Sequence, residues 1–139
     1  MKKALSIFLI VVGTSLFTGC DIDTGENFHF VSLKVVEASI PEHFLLNQSH
    51  NIEVSFVRPD DCTFFEGFDV FSDTGGLRTI VPIGSVLTNQ DCSSQEENLT
   101  GILTLTAIEE EQYTLRFYAG EDADGNAEYI EYVVPVVDN

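Results

Sequence analysis

The feature that most constrains this chain is a two-residue hydrophobic period that returns seven times after about residue 28. Such alternation marks strands with one buried and one exposed face, and it does not fit the 3.6-residue repeat of a helix. Val31, Leu33 and Val35 alternate with Ser32 and Lys34, and Ile52, Val54 and Phe56 with Glu53, Ser55 and Val57. In "CTFFEGFDVFS", from Cys62, the period puts Phe64, Phe68 and Val70 on one face. Glu66 interrupts that face, and Gly67 signals a bulge or a close backbone approach. This parity sends Phe64 and Phe68 to the core and leaves Phe65 and Phe71 exposed, at an edge or under a loop. The run from about Leu77 to Leu87 contains Pro82, which cannot donate to a ladder, so this strand is expected at a sheet edge. Leu99, Leu103, Leu105 and Ala107 oppose Thr100, Ile102, Thr104 and Thr106. Tyr113, Leu115 and Phe117 oppose Thr114, Arg116 and Tyr118, and Ile130, Tyr132, Val134 and Val136 oppose Glu131 and Val133. Seven short strands separated by turn signals predict an all-β fold, an antiparallel β-sandwich. Helix is scarce, with "PEHFLLN" from Pro41 a candidate single turn.

One stretch sharpens the class. "EEEQYTLRF" places Tyr113 at the start of the sixth strand, after an acidic turn. This is similar to the tyrosine corner of immunoglobulin-like sandwiches, in which a Tyr hydroxyl bonds back to the backbone and fixes a crossover between sheets. The bland alternative is an ordinary aromatic core residue. Leu115 stands where antibody domains carry a Cys, and the chain has no Trp, so the antibody-type core pin is missing. An immunoglobulin-like antiparallel β-sandwich of about seven strands over residues 28–139 is the expectation.

The three cysteines divide by position. "LFTGC", Leu16–Cys20, follows a basic start (Lys2, Lys3) and the apolar run "ALSIFLIVVGTSLF", which is short for a membrane span. The order resembles a bacterial lipoprotein signal with its lipobox, although Phe17 stands where Leu is usual. The small residues Thr18 and Gly19 suit a peptidase that threads the backbone past its active site, and the Cys20 thiol is the group that takes a diacylglyceryl chain. The alternative is an ordinary secretory signal cut nearby. Lipidation of Cys20 turns an odd cysteine count into a pair. Cys62 and Cys92 are then expected as a disulfide in an oxidising compartment, in preference to a redox or metal pair. Residues 1–19 therefore read as a signal peptide and residues 20–27 as the lipidated Cys with a short acidic tether, "DIDTGEN". In lipoproteins of the Bacteroidetes type, an acidic run after the lipidated Cys is associated with export to the cell surface. In other bacteria, Asp beside that Cys goes with retention in the inner membrane. The residues are compatible with both.

Charge narrows the partners. Without residues 1–19 the chain keeps 4 basic residues against 23 acids, a net charge of −19. Nucleic acid is excluded as a partner, since binding it needs a basic footprint. The charge serves solubility and mutual repulsion, or it attracts a basic protein or divalent cations.

Motifs for chemistry are few. Asp122, Asp124, Asn126 and Glu128 in "DADGNAE" alternate like the start of an EF-hand loop. Ala127 and Val133 stand where that loop needs Gly and Glu, so the four are at most a weak cation loop, and Asp-Gly between alternating runs predicts a β-hairpin. His29, His43 and His50 lack ligand spacing, and no metal site or cofactor is expected. No G-x-S-x-G elbow or Gly-rich phosphate loop occurs, so no catalytic residue is assigned. The fifteen aromatics (11 Phe, 4 Tyr) include Phe65, Phe71, Tyr118 and Tyr129 as a candidate exposed binding patch; burial on a two-sided strand is the alternative.

At "RPDDCTFFEGF" (Arg58–Phe68) and "FYAGEDADGN" (Phe117–Asn126) the chain resembles a group of small, uncharacterised lipoproteins of flavobacteria and related Bacteroidetes. The resemblance covers most of residues 28–137 and carries no known activity. It implies a Gram-negative envelope, most naturally the outer membrane, facing the periplasm or the surface, with a lipidated Cys20, a Cys62–Cys92 disulfide and a sandwich. The leading expectation is a noncatalytic, lipid-anchored binding or structural module. The alternatives are an envelope hydrolase or carbohydrate-active enzyme on a β-sandwich, and an acidic inhibitor of a basic partner such as a lysozyme.

Overall fold

The computed structural model describes residues 27–109 and 111–138. The signal segment, Cys20 and most of the acidic tether lie outside the described residues. Among the described residues nine strands form: β1 (Phe28–Ser32), β2 (Lys34–Ser39), β3 (Phe44–Leu45), β4 (Ser49–Arg58), β5 (Thr63–Ser72), β6 (Leu77–Leu87), β7 (Glu97–Thr106), β8 (Gln112–Glu121) and β9 (Ala127–Val137). They make two packed sheets, the sandwich that the alternation predicts. The smaller is antiparallel, in the order β2-β4-β7. The larger has six strands, with β6 between β5 on one side and β1 and β8 on the other, followed by β9 and β3. Two of its pairings, β6 with β8 and β3 with β9, are parallel. The segment from Pro41 holds the short strand β3 rather than a helical turn.

The core lies where the period says. Ile52, Val54 and Phe56 of β4 are fully buried, as are Tyr113, Leu115 and Phe117 of β8. The first alternating run is continuous across a change of sheet. Leu33 sits buried between β1 and β2 and donates its N–H to Pro82 O at 2.8 Å, so one hydrophobic stripe serves both layers.

Two further expectations are corrected. Pro82 is in β6, the most flanked strand of the larger sheet, not at an edge. Its carbonyl faces the side shared by β8 and β1, so its missing N–H faces that side too. There β8 pairs only with Leu77–Ile80 and β1 only with Ile83–Leu87. The absent donor therefore sits opposite Leu33, past the last β1 pair and beyond the β8 pairing, where Leu33 N–H still bonds Pro82 O and only the reciprocal bond is forgone.

The second correction concerns β5. Its register against β6 shifts between Phe65 and Gly67, a bulge with Gly67 at φ +148°, where a side chain would be strained. One extra residue reverses the parity of what precedes it. Phe65, not Phe64, joins Phe68 on the inner face, and their rings lie 4.6 and 6.2 Å from Phe56 of the opposite sheet. Phe64 is outside, 47% exposed. Gly101 of β7 makes room for this pair: a Cβ there would come within 2.9 Å of the Phe68 ring and 3.0 Å of Phe65. Val70 keeps the inward parity of Phe68 yet is half open, because β5 is an outer strand.

Two ties hold the layers. Tyr113 is fully buried, and its hydroxyl oxygen accepts from the N–H of Ile108 at 2.8 Å and of Glu109 at 3.1 Å. That is the geometry of a tyrosine corner, bridging the passage from β7 to β8. The Arg78 guanidinium lies 5.1 Å from the Tyr113 ring centre and pairs with Glu109 at 3.0 Å. A Cys62–Cys92 disulfide joins the start of β5 to the loop between β6 and β7.

Candidate functional site

The cross-strand register assigns every strand residue to a face, because directly paired residues point the same way. In β6 the even positions Ile80 and Pro82 point into the core, so Leu77, Thr79, Val81, Ile83, Ser85 and Leu87 point outward. Their partners define the outer face of the six-stranded sheet. Phe28 pairs with Leu87, and Phe30, Ser85 and Phe64 form one row across three strands. Phe71, Thr79, Arg116 and Glu131 form another row across four. Tyr118 pairs with Tyr129, and Val133 with Thr114.

This face is unusually apolar for a solvent-facing surface. Phe30 is 64% exposed, Phe71 59% and Val133 63%, and Phe28, Phe64 and Tyr129 are also open. Two shallow cavities, of about 410 and 240 Å³, flank Phe30, and Glu66 lines both. Glu66 accepts a hydrogen bond from Ser85 Oγ, so the carboxylate inside the patch is already engaged. Arg116 pairs with Glu131 at 2.6 Å and lies 4.9 Å from the Tyr129 ring centre. Burial, then the charge of Glu121 and the neighbouring Tyr129, raise the Tyr118 phenol above its ordinary value. Exposed apolar patches rimmed by polar groups mark protein or membrane contacts.

The candidate patch from the sequence is thus formed in part. Phe71, Tyr118 and Tyr129 share the outer face, whereas Phe65 is inside and Phe64 takes its place. Phe28 and Phe30 escape the sequence reading, since they precede the first clear alternation. The signal that could have found them is their own spacing, two apart around His29.

The other outer face, on β2-β4-β7, is polar. Ser49 bonds Thr106 at 2.8 Å, Thr104 donates to Asn51 at 2.9 Å, and Ser55 bonds Thr100 at 3.3 Å. Ile102, between Thr100 and Thr104, is a large apolar residue open there, and Val36 of β2 is exposed as well.

The remaining sequence candidates are placed as follows. Asp122, Asp124, Asn126 and Glu128 lie at the β8–β9 hairpin. Asp122 Oδ1 accepts from the N–H of Asp124 and of Asn126, both at 2.9 Å, and Gly125 takes the left-handed conformation at φ +83°. These bonds, led by the Asn126 amide, hold the Asp122 carboxyl below its ordinary value. Its lone pairs are directed into the turn. Among the described residues, Asp61, Cys62 and Cys92 bring three potential ligand atoms within 4.8 Å of one another, but the disulfide removes both thiolates. His50 Nε2 accepts from Leu45 N at 2.9 Å and its ring lies 4.8 Å from Phe44, a packing role. A larger groove of about 510 Å³ opens where β1 passes to β2, lined by His29, Lys34, Asp60 and Glu96 among others. Asp60 Oδ1 there accepts from Cys62 N at 3.0 Å and Thr63 Oγ1 at 2.7 Å, bonds that brace the start of β5.

Compared with protein-family models, curated proteins and solved structures, the chain has no match.

Proposed function

We propose that this protein is a noncatalytic module of a bacterial cell envelope, lipid-anchored through Cys20, that engages its partner through the outer face of the six-stranded sheet. The observation that carries the reading is the contrast between the two outer faces. Phe28, Phe30, Phe64 and Phe71 stand open on one, while the other is stitched by Ser, Thr and Asn pairs. Such a concentration of exposed rings is retained against the hydrophobic effect only where something covers them. The anchor reading gains support from the disulfide: Cys62 and Cys92 bond each other, and Cys20, the third cysteine, stands outside that pair within "LFTGC". The resemblance to flavobacterial lipoproteins agrees with an outer-membrane address.

Two measurements on the full chain produced in a Gram-negative host test this. Mass spectrometry of the mature N-terminus should show an acylated Cys20; an unmodified N-terminus elsewhere sinks the anchor. A photo-crosslinking residue at position 30 should give envelope adducts, and one at position 104, on the polar face, should not. Equal labelling from both positions refutes the assignment of the face.

A further inference from the structure

We propose that the partner of the aromatic face is the lipid bilayer itself, with Phe28, Phe30 and Phe64 seated at the boundary between headgroups and acyl chains. The inference rests on the anchored reading above and adds what the face touches. The first argument is where the chain outside the fold ends. From Cys20 to Phe28 is eight residue steps, at most about 28 Å even when fully extended. Phe28 opens β1 and already points to the aromatic face. A tether this short holds the face beside the membrane at an effective concentration in the millimolar range, so weak contacts suffice for docking.

The second argument is position within the face. Phe30 and Phe64 flank Ser85 in one row, and Phe28 occupies the row two residues closer to the tether. The most open rings near the tether thus share one end of the sheet and project in one direction. Phe28 and Phe30 also brace each other edge-to-face, with ring centres 5.4 Å apart.

The third argument is charge. An acidic chain is repelled by anionic lipid and resists losing water from its carboxylates, so a docking face must be poor in open acids. Here Glu66 is bonded to Ser85 and Glu131 is paired with Arg116, which leaves Asp69 and, at the end of β8, Glu121, whose partner Ala127 shares the parity of Tyr129. Tyr118, Tyr129 and Arg116 add side chains with an apolar body and a polar tip, the types that settle at membrane interfaces. Glu53 lies on the opposite face, and Asp122 and Asp124 lie in the turn between β8 and β9. Docking through Phe30 turns Glu53 away from the lipid.

The absence of Trp makes the test clean. Two single-tryptophan forms of the full, processed chain are prepared, Phe30→Trp on the aromatic face and Ile102→Trp on the polar face. Each is reconstituted into vesicles of brominated phosphatidylcholine, and the mass of its N-terminal peptide is recorded. Bromine quenches indole only at contact range, and the vesicles hold no other protein. The indole of the Phe30→Trp form is expected to be quenched at least twofold more than that of the Ile102→Trp form. Acylated Cys20 with equal quenching in the two forms overturns the inference and leaves the anchored module standing. That result also covers pairing of two copies through this face, which would shield the position-30 indole from lipid. An unmodified N-terminus overturns both. Should Phe30→Trp disturb β1, Phe64→Trp reports from the same row with the same outcomes.

Discussion

The two outer faces of the sandwich are built on the same alternation and end with opposite chemistry. On β4 and β7 every second residue is Ser, Thr, Asn or Glu for most of the length, and cross-strand hydroxyl pairs satisfy one another. On β1, β5 and β6 the corresponding positions are rich in Phe, Val, Ile and Leu. The difference shows that period 2 fixes which residues share a face but not which medium the face meets. A polar outer face is the ordinary solution for a sheet with water on one side. The aromatic one is the basis of the proposed docking to lipid.

The largest expected effect on this contrast comes from the Cys62–Cys92 bridge. Replacing both cysteines by Ala should lower unfolding stability by about 3–4 kcal/mol for a 30-residue separation. Hydrogen exchange should rise first in β5, which carries Phe64 and Phe71, while β4 and β7 keep their protection. Uniform loss across both sheets would show that the faces are not separable units.

Tyr113→Phe comes next. It leaves the Ile108 and Glu109 amides without their acceptor, and should cost about 1–3 kcal/mol in chemical denaturation. The tie bridges β7 of one sheet and β8 of the other, so this variant should weaken both together.

A Ser55→Ala, Thr100→Ala double change removes one pair from the polar face, and should cost about 0.2–1 kcal/mol. Phe30→Ser with Phe64→Ser should move stability by less than about 0.5 kcal/mol for each exposed site, while raising solubility and weakening the proposed docking to lipid. A large stability loss from the Phe pair would mean that the rings are structural and would erase the contrast.

The smallest effect is at the hairpin. Asp122 has a lowered carboxyl pKa in the fold, so its support of the turn is full above the unfolded value and is lost as pH falls through the lower folded one. Exchange at the Asp124 and Asn126 amides should quicken over that acid range in the native protein, and should show no such dependence in Asp122→Asn.

Much of this was legible from residue order, and the rest fails for identifiable reasons. Ile52, Val54, Phe56, Tyr113, Leu115 and Phe117 are core because hydrophobic parity is local. The hairpin at Asp122–Gly125 was legible because Asp-Gly has a strong backbone preference. The core role of Phe65 was not, because a bulge of one residue at Glu66–Gly67 inverts parity and Gly67 marks a bulge without saying what it does to register. Pro82 misled because a missing donor need not mean an edge when it falls where the neighbouring ladders end; here β1 runs out opposite Pro82, β8 stops at Ile80, and one reciprocal bond is all that is forgone. The aromatic face itself depends on bringing β1, β5, β8 and β9 around β6, from positions as distant as Phe28 and Val133. No local pattern encodes that gathering.

The break beside Pro82 also has a mechanical meaning. Any pull on the chain before Phe28 loads β1, whose ladder to β6 runs only from Phe28 to Ser32. Because β8 meets β6 on the far side of the gap, β1 can peel away without loosening the β8 ladder. The peel then reaches Leu33, where the backbone crosses into the other layer and its N–H grips Pro82 O. The first strand is thus a short yield segment, about 17 Å of extended chain for its 5 residues, set in front of a stiffer stop.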